Sequence, residues 1–486
     1  MIAIDRGAAK PLHRQIYDAF RTMIVERSLQ AGQQMPSTRA LASELGISRI
    51  PVLGAYSQLL AEGYFESRPG AGTFVSALFR EQPPSFERPR AAAPAGSGPR
   101  MIARRCDSLP SREGAPWTSG AGAFSVGQLA FEQFPYQIWA SLVSRHARRA
   151  RATSLNYGSP MGLREFRETL AGYLRTARAL RCDAEQIMVV SGSQQALDLS
   201  TRVLVDPGSP VWIEEPTYDW MRQTLRLAGC RLVPVPVDGE GVDVARGIRL
   251  CRKARAAYVT PSHQYPLGVT MSAARRLQLL DWARGSGAWI VEDDYDSEYR
   301  YGSMPIASLQ GLDHDSRVIY IGTFSKTLFP SLRLGYMVIP PDLVDRFAAV
   351  RRAADLCPPH FQQAVLTDFI GEGHFARHIR RTRLLYSERR EALVDAIRRE
   401  FGPRLEILGA QAGMHLVVTL PQGLSDREIA MRAAEVNLWL WPLSASYTGK
   451  NVRQGFILGF GSTAVTEIPR AVDRLRKVLA AERKWS

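Results

Sequence analysis

One lysine of this chain is well placed for covalent chemistry. Residues 318–321 are apolar, as in a buried strand, and Lys326 lies shortly beyond them, with Arg333 soon after. A lysine held just past a strand can form a Schiff base with an aldehyde cofactor, provided that a phosphate anchor and an acid are close by. The chemistry therefore depends on whether the chain supplies those two partners.

Two further strand-like runs end in groups of the required kind. Residues 187–190 are apolar and lead to Ser193 and Gln194, at the start of a predicted helix. Backbone N–H groups at a helix N-terminus can cradle a phosphate. Residues 288–291 are also apolar and lead to Asp293. Ligands of open α/β sheets bind beyond the carboxyl ends of the strands, so the lysine, the cradle and the acid are expected to meet there.

Pyridoxal phosphate requires this combination of groups. Lys326 would carry its Schiff base, and a carboxylate would keep the pyridine nitrogen protonated, so that the ring acts as an electron sink. The hydroxyls of Thr323 and Ser325 and the guanidinium of Arg333 are candidates to hold its phosphate. Tyr218 is a candidate to stack on the ring. Each of these residue types is also common in ordinary turns, caps and cores, and their shared order along the chain is what indicates a site.

The elements that position these groups predict an α/β domain over residues 116–486, with a mostly parallel sheet. Strand-like runs alternate there with helical patterns. A chain of 486 residues is too long for one ordinary core, so further domains are expected. Residues 79–115 are rich in proline, alanine and arginine, which predicts a flexible linker. Residues 1–78 form a separate first section.

This first section predicts three short helices followed by a hairpin. Apolar residues recur at helical spacing through residues 12–24, a second helix opens at Ser37 and ends at Gly46, and Ser48 is a candidate N-cap of a third. The inner face of the third helix is expected to consist of Val52, Leu53, Tyr56, Leu59 and Leu60. Residues 64–75 predict two short strands around a glycine-rich tip.

That order of elements is typical of a winged helix-turn-helix. In such a unit the second helix of the helix-turn-helix pair, here the third helix of the section, lies in the DNA major groove. This would bring Ser48, Arg49 and Ile50 to the base edges. The hairpin would be a wing for backbone or minor-groove contact. The formal net charge of +15 favours polyanionic partners such as nucleic acid, although an arginine-rich enzyme would also carry it.

Several stretches of the first section resemble the DNA-binding domain of the GntR family of bacterial regulators: residues 36–39, 45–49, 61–64 and 70–75. The resemblance implies a winged helix-turn-helix that binds double-stranded DNA. It also implies that Arg39, Arg49 and the wing around Arg68 and Gly70 touch that DNA.

Stretches of the large section resemble fold-type I aminotransferases: residues 156–158, 162–164, 191–196, 261–268, 292–298, 323–326 and 333–336. The whole chain thus resembles the MocR/GabR family, in which a GntR-type domain, a linker and an aminotransferase-like domain that binds pyridoxal phosphate follow one another. By that likeness Lys326 carries the aldimine, Asp293 meets the pyridine nitrogen, Tyr295 reaches the ring hydroxyl and Tyr218 stacks. The phosphate would be held by Ser193, Gln194, Thr323, Ser325 and Arg333.

Two positions depart from these patterns. Tyr265 stands where typical aminotransferases have the asparagine that tunes the ring oxygen, which disfavours efficient transamination. Trp220 stands where regulators that sense γ-aminobutyrate have an arginine for the effector carboxylate. Arg453, just before the apolar run 456–458, is the candidate for that carboxylate, although it could equally be a surface residue.

The leading hypothesis is a homodimeric transcriptional regulator in which an amino compound displaces Lys326 from pyridoxal phosphate and thereby changes the separation of the DNA-binding domains. In a variant of it, pyridoxal phosphate itself is the signal. The alternatives are an aminotransferase with an accessory N-terminal domain and a DNA-binding scaffold with an inert pocket. The sequence contains neither an apolar run of membrane-spanning length nor a signal peptide, which predicts a cytoplasmic protein. Its five cysteines are scattered without metal-like spacing, which favours a reducing compartment and predicts no bound metal.

Overall fold

The computed structural model of the chain divides into two compact units, Met1–Met101 and Ile102–Ser486. The residues that it describes are 4–8, 10–26, 28–77, 103, 105–106, 109, 115–118, 122–149, 156–302, 307–449, 452–482 and 485. The predicted linker, 79–115, lies almost entirely outside the described residues, and its flexibility stays a prediction.

The first unit contains the predicted winged helix-turn-helix. Its elements are α1 (Leu12–Val25), α2 (Thr38–Glu44), α3 (Arg49–Ala61), β1 (Phe65–Arg68) and β2 (Gly72–Val75). The two strands pair in antiparallel register, with Phe65 opposite Val75. Phe20, Tyr56 and Phe65 pack edge to face in its core, with ring centroids 5.1–5.7 Å apart. The unit therefore has an apolar core of its own.

The helix-turn-helix geometry is fixed by the turn and by one buried hydroxyl. Gly46 has a φ of +63°, a left-handed conformation that glycine adopts at low cost, and it ends α2. The Tyr56 hydroxyl donates a hydrogen bond to the Pro36 carbonyl at 2.8 Å, which ties α3 to the segment preceding α2. The position of α3 against α2 is thereby set before any DNA is bound.

The prediction for the inner face of α3 was wrong at Leu53. Val52, Ala55, Tyr56 and Leu59 are buried, whereas Leu53 is 44 % exposed. Successive helical residues are rotated by about 100°, and the stripe that runs through Val52 and Tyr56 leaves Leu53 on the outer side. A run of adjacent apolar residues does not by itself show which of them faces inward.

The second unit is built around a large sheet with helices on both faces. Its elements up to the end of that sheet are α4 (Tyr136–Arg148), α5 (Arg164–Arg178), β3 (Ile187–Val190), α6 (Ser193–Leu204), β4 (Pro210–Glu215), α7 (Asp219–Leu227), β5 (Arg231–Asp238), β6 (Gly241–Val242), α8 (Val244–Cys251), β7 (Ala256–Val259), α9 (Ala273–Ser286), β8 (Trp289–Asp294), α10 (Leu309–Leu312), β9 (Val318–Thr323) and β10 (Gly335–Val338).

The strand order of this sheet is β3-β10-β9-β8-β7-β4-β5-β6. The five strands from β9 to β5 run parallel, β10 runs antiparallel to both of its neighbours, and β6 closes a hairpin with β5. Successive residues of β3 pack into different clusters, Val189 with α5 and Met188 with α6. The sheet is thus covered on both faces, and the predicted α/β fold with a mostly parallel sheet is confirmed.

The remaining elements are the strands of a smaller antiparallel sheet, in the order β11-β12-β14-β13, and the helices of the same part of the chain. They are α11 (Val344–Asp355), α12 (His360–Gly371), α13 (His374–Phe401), β11 (Ile407–Leu408), β12 (His415–Thr419), α14 (Asp426–Glu435), β13 (Trp441–Pro442), β14 (Gly455–Gly459) and α15 (Ile468–Ala480). All five cysteines are free. Within the described part of the chain, no helix combines the length and the apolar character that crossing a membrane would need.

Candidate functional site

The ends of six strands of the large sheet converge on one cavity of about 310 Å³. It lies at the carboxyl ends of β3, β4, β7, β8 and β9, and at the amino end of β10, because β10 runs in the opposite direction. All nine residues predicted to bind the cofactor line this cavity: Ser193, Gln194, Tyr218, Asp293, Tyr295, Thr323, Ser325, Lys326 and Arg333. The strand arrangement therefore brings together groups that are up to 140 positions apart in the sequence.

Lys326 lies in a confined part of the cavity. A Cβ atom built on Gly127 would lie only 2.8 Å from the Lys326 Nζ, and Gly127 has a φ of +79°, so both space and backbone conformation favour glycine there. Burial lowers the pKa of the Lys326 amine below its ordinary value, while the nearby Asp296 and Asp293 oppose that shift. A lowered pKa increases the fraction of neutral amine, which is the form that attacks an aldehyde.

Asp293 has an unsatisfied buried oxygen. Its Oδ1 has no hydrogen-bond partner, and burial, reinforced by Asp294 and Asp296, raises the pKa of the carboxyl to about 7. An unpaired buried acceptor is costly, and a protonated ring nitrogen would satisfy it. The neighbouring Asp294 also has an unpaired oxygen, but it does not line the cavity, and its Oδ2 is bound by Arg178 and by the Tyr320 hydroxyl, at 2.5 Å from the latter. The geometry thus favours Asp293 over Asp294 as the partner of a pyridine nitrogen.

The loop between β3 and α6 lies beside the guanidinium of Arg333. Arg333 donates from Nη2 to the Ser191 carbonyl at 2.5 Å, and a Cβ built on Gly192 would lie 3.3 Å from its Nη1. Gly192 is the N-cap of α6, whose first N–H groups have no acceptor within the helix. A guanidinium beside a helix N-terminus is suited to a phosphate.

Three further predicted phosphate contacts differ in how free their side chains are. The Thr323 hydroxyl accepts a hydrogen bond from the Ser325 N–H at 3.1 Å, which draws these two residues together at the end of β9. The Gln194 side-chain amide donates to the Trp220 carbonyl at 3.1 Å and to the Thr224 hydroxyl. Gln194 would therefore serve a phosphate through its backbone N–H rather than through its side chain.

Aromatic side chains form another part of the cavity lining. Tyr218 and Tyr265 pack edge to face, with ring centroids 5.5 Å apart. The Tyr295 hydroxyl donates to the His263 carbonyl at 2.9 Å and lies 3.1 Å from its Nδ1. That nitrogen also lies 3.1 Å from the Asp296 carboxylate. Tyr295 thus belongs to a buried polar network that continues behind the cavity.

Three residues that line the cavity beside the lysine had no predicted role. Gly127 lies in a loop that no strand or helix pattern marks, and Asp296 stands in a run of several acids. His415 opens the apolar strand β12 and is buried beside His263, and burial holds its pKa well below the ordinary value. Its signal in the sequence was a single histidine before an apolar run, which is more often structural.

The structure does not bring Arg453 to the cavity. Its guanidinium pairs with Glu406 at 2.7 Å, and its side chain is about half exposed. Arg453 precedes the amino end of β14, whereas His415, which lines the cavity, pairs with Gly459 at the carboxyl end of that strand. The two ends of a five-residue strand are on the order of 14 Å apart. Among the described residues, Arg333 is the only arginine that lines the cavity.

The predicted DNA-contacting residues of the first unit are exposed. Arg39, Ser48, Arg49 and Ile50 lie at the beginnings of α2 and α3. Arg49 donates from Nε to the Thr38 hydroxyl at 3.0 Å, which joins the two helix starts. Ser48 is the N-cap of α3 by position, but its side chain makes no capping hydrogen bond.

On the wing, Arg68 is already engaged within the unit. It pairs with Glu66 at 2.6 Å, and its guanidinium lies 4.5 Å from the centroid of the Phe74 ring. Gly70 forms the exposed tip with a φ of +76°. Contact of Arg68 with DNA would therefore have to compete with an existing ion pair.

Comparison with known proteins agrees with both units. Residues 12–75 match the family described as bacterial regulatory proteins, gntR family, and residues 123–453 match aminotransferase class I and II. A probable rhizopine catabolism regulatory protein, MocR, of Rhizobium meliloti is 41 % identical over 99 % of this chain and 96 % of its own length. The chain belongs to the MocR family. The pyridoxine biosynthesis transcriptional regulator PdxR of Corynebacterium glutamicum is 30 % identical over 99 % of this chain and 97 % of its own length.

Solved structures resemble the second unit of this MocR-family chain. A kynurenine aminotransferase of Pyrococcus horikoshii superposes with a TM-score of 0.72 at 29 % identity, and covers 78 % of this chain and 96 % of its own. The predicted assignment to fold-type I is confirmed. The chain is a transcriptional regulator with a GntR-type DNA-binding domain, and its aminotransferase-like domain takes pyridoxal phosphate as cofactor.

Proposed function

We propose that the Lys326 cavity is a sensor site whose occupancy controls the binding of the chain to an operator. The observation that carries this proposal is the convergence of all nine predicted cofactor contacts on one cavity, in a chain that also exposes a helix-turn-helix. Pyridoxal phosphate, when bound, supplies an aldehyde that reacts with primary amines. A site that holds this cofactor can therefore detect an amino compound, or the supply of the cofactor itself.

The residues of the cavity divide the work of holding the cofactor. Arg333 and the first N–H groups of α6 would bind the phosphate, together with the hydroxyls of Thr323 and Ser325. Asp293 would accept a hydrogen bond from the ring nitrogen and keep the proton there. Lys326 supplies the amine, and Gly127 leaves room for its Nζ. Tyr218 and Tyr295 would contact the ring.

The identity of the signal separates two forms of the proposal. In the first, an amino compound takes the place of the Lys326 amine, and the chain favours a conformation with a different affinity for the operator. In the second, pyridoxal phosphate itself is the signal. The two relatives are named for different pathways, rhizopine catabolism for one and pyridoxine biosynthesis for the other. We favour the first form, because the cavity brings the Lys326 amine to the place where the cofactor's aldehyde would be bound, so that another amine would compete with it there.

We further propose that the chain is a homodimer. Large apolar side chains are exposed on and around two helices that pack together, α4 and α12: Tyr136, Ile138, Tyr157, Leu356 and Phe361. The segment that carries Tyr157 is joined to this region, because the Gly158 N–H donates to the Cys357 sulfur at 3.4 Å. Several exposed apolar side chains in one region are typical of a protein–protein interface.

Light scattering after size exclusion would test the dimer. Phe361→Glu is expected to shift the protein towards monomer, because a buried unpaired charge opposes association. The matched control is Leu277→Glu, which changes an exposed leucine on α9 and should leave the mass unchanged. An unchanged dimer in both variants would contradict this interface.

The sensor proposal is tested by DNA binding. The probe is the intergenic DNA upstream of the chain's own gene, with nonspecific competitor at physiological salt. The chain loaded with pyridoxal phosphate should bind it despite the competitor, and an effective amine should change that affinity. Lys326→Ala should still bind the DNA but should not respond to the amine. An undiminished response in that variant would contradict the proposed role of Lys326, and binding that competitor abolishes would contradict operator recognition.

The two forms of the signal are distinguished by the same assay without any amine. If pyridoxal phosphate is the signal, adding it to the cofactor-free protein should by itself change the affinity for DNA. If an amine is the signal, that addition should have little effect, and the affinity for DNA should change only when the amine is added.

A regulator that binds an operator acts where the chromosome lies, so we propose that the protein is cytoplasmic.

A further inference from the structure

The exposed face of α3 begins with large apolar side chains. Ile50 is 78 % exposed, which, with Tyr157, is the highest exposure of any large hydrophobic residue in the described parts of the chain. Leu53, three residues later, is 44 % exposed. Residues three apart lie next to each other on a helix surface. Ile50 and Leu53 therefore form one apolar patch that the folded unit leaves open to solvent.

The core of the unit does not need this patch. Val52, Ala55 and Leu59 on the opposite side of α3 are fully buried, and they complete the packing of the helix. An isoleucine so exposed contributes little to the stability of the isolated chain, because almost none of its surface is removed from water. The patch is thus free to contact another molecule.

Its position identifies that molecule as double-stranded DNA. The patch occupies the start of the second helix of a helix-turn-helix, the part that meets base edges in the major groove. Arg49 immediately precedes Ile50 and Arg39 is exposed at the start of α2, so cationic groups that can meet phosphates lie at the starts of both helices. The formal net charge of +15 fits the same partner.

The chemistry of the patch limits which bases it can recognise. Isoleucine and leucine side chains neither donate nor accept hydrogen bonds, so they gain nothing from the donors and acceptors of a base edge. The apolar group that the major groove offers is the methyl group on C5 of thymine. 5-Methylcytosine presents the same group at the same place. Contact with such a methyl group would remove apolar surface of both partners from water.

We propose that Ile50 and Leu53 contact pyrimidine 5-methyl groups in the operator, and that this contact selects thymine at those positions of each half-site. The proposal rests on the proposed function, because it requires sequence-selective binding to DNA. Arg49, whose Nε is held by Thr38, would fix the end of the helix beside the contact. Selection by a methyl contact would then add to whatever base hydrogen bonds the polar residues make.

The test uses DNA that differs only in the methyl group. The probe is a duplex selected from a random library by the full-length chain loaded with pyridoxal phosphate, in the presence of nonspecific competitor. It is then resynthesised with deoxyuridine in place of thymidine. We expect uracil to weaken binding about fourfold for each contacted methyl group, since burial of one such group contributes about 0.8 kcal/mol. Scanning single positions locates the contacts.

Protein variants assign the effect to the patch. Ile50→Ala with Leu53→Ala should weaken binding to the thymine duplex and leave binding to the uracil duplex nearly unchanged, so that the ratio of the two approaches one. Arg49→Ala should weaken binding to both duplexes and keep the ratio. Thermal unfolding should be almost unaltered in all of them, because these side chains are exposed.

The source of the methyl group is separated by exchanging base pairs at a contacted position. A 5-methylcytosine·guanine pair should bind better than a cytosine·guanine pair there. If thymine and uracil duplexes bind equally well, or if their ratio is unchanged in the double variant, the methyl contact is overturned. An unchanged ratio together with an altered oligomeric state would assign the patch to a second copy of the chain instead. Failure to select any duplex would overturn the proposed function as well.

Discussion

The cofactor cavity and the DNA-reading surface are built on opposite principles. In the cavity, the acid and the lysine are largely withdrawn from water, and burial shifts the pKa values of both Asp293 and Lys326. On the DNA-reading surface, Arg39, Arg49 and Ile50 are exposed to solvent. In the cavity, the fold has already removed the functional groups from water before the ligand binds. On the DNA-reading surface, the functional groups lose their contact with water only when DNA binds.

This difference determines how each region responds to substitution. A buried group works against a low dielectric and has few alternative partners, so its loss has a large effect. An exposed arginine shares its task with neighbouring charges and with water, so its loss has a graded effect. Substitutions in the cavity should therefore change stability or cofactor affinity by about 2–4 kcal/mol, and those on the surface should weaken DNA binding by nearer to 1 kcal/mol.

The largest expected effect is that of Asp293→Asn on the cofactor-free protein. The pKa of Asp293 is raised to about 7 from its ordinary 3.8, so the folded chain binds this proton more tightly than the unfolded chain does. The stability due to the protonated carboxyl is complete below about pH 4 and is lost as the pH rises through 7. Asparagine stays neutral throughout, so the variant should gain roughly 2–4 kcal/mol over the wild type at about pH 8 and almost nothing at about pH 4.

Urea unfolding at several pH values measures this gain. The matched control is Asp206→Asn, which changes an exposed aspartate and should open no comparable gap. The same Asp293→Asn variant should bind pyridoxal phosphate less tightly, because an amide cannot hold the ring proton as a carboxylate does. A constant difference in stability across the whole pH range would contradict the assignment of the buried proton to Asp293.

Next in size is the loss of the phosphate anchor. Arg333→Ala should weaken pyridoxal phosphate binding on the order of 30-fold, since a hydrogen-bonded charge pair contributes about 2 kcal/mol. Equilibrium titration followed by visible absorbance would measure this. Arg333→Lys should recover part of the loss, because it restores the charge without the paired N–H groups. Equal affinities for the alanine variant and the wild type would place the phosphate elsewhere.

On the DNA-reading surface the expected effects are smaller and differ between two arginines. Arg49→Ala should weaken operator binding about tenfold. It should also reduce the slope of log affinity against log salt concentration by about one. Arg68→Ala should weaken operator binding less, because the ion pair of Arg68 with Glu66 must be broken before Arg68 can contact DNA. Fluorescence anisotropy at several salt concentrations compares them. A larger loss for Arg68 than for Arg49 would show that the wing, and not α3, dominates the contact.

The smallest expected effect is that of Arg453→Ala. This arginine pairs with Glu406 away from the cavity, so its loss should change the affinity for an amino compound less than twofold. Titration of the protein loaded with pyridoxal phosphate, using amines that bear a carboxylate, measures this affinity. A marked loss of affinity for those amines alone would restore Arg453 as the carboxylate partner and would require the β14 end to move.

The two regions also differ in what could be predicted from the sequence. The cavity residues were found because parallel strands gather their carboxyl ends at one edge, so three separate strand-like runs sufficed to predict a shared site. Arg453 lies away from the cavity because it precedes the amino end of β14, whereas the cavity is lined near the carboxyl end of that strand, by His415. Its role in binding an effector carboxylate stays a prediction. His415 was missed because a single histidine in an apolar run carries no spacing information.

For α3 the helix was predictable, but its rotation was not. Val52, Leu53, Tyr56, Leu59 and Leu60 are all apolar, and such a pattern leaves the inward direction undetermined within about one residue. The packing against α1 and β1 decided it, and Leu53 was left outside. What could not be read from the sequence was therefore the position of one helix about its own axis.

The residues that line the cavity extend in sequence from Val126, near the start of the second unit, to Trp441, near its end. During synthesis the DNA-binding unit, with its own core, leaves the ribosome first, whereas the cavity is incomplete until residue 441 has been translated. The complete cavity, including Trp441, is therefore available to the cofactor only after that residue has been translated. At 100 times its dissociation constant the cofactor would stabilise the folded chain by about 2.7 kcal/mol. Scarcity of the cofactor would consequently lower the cellular half-life of the regulator.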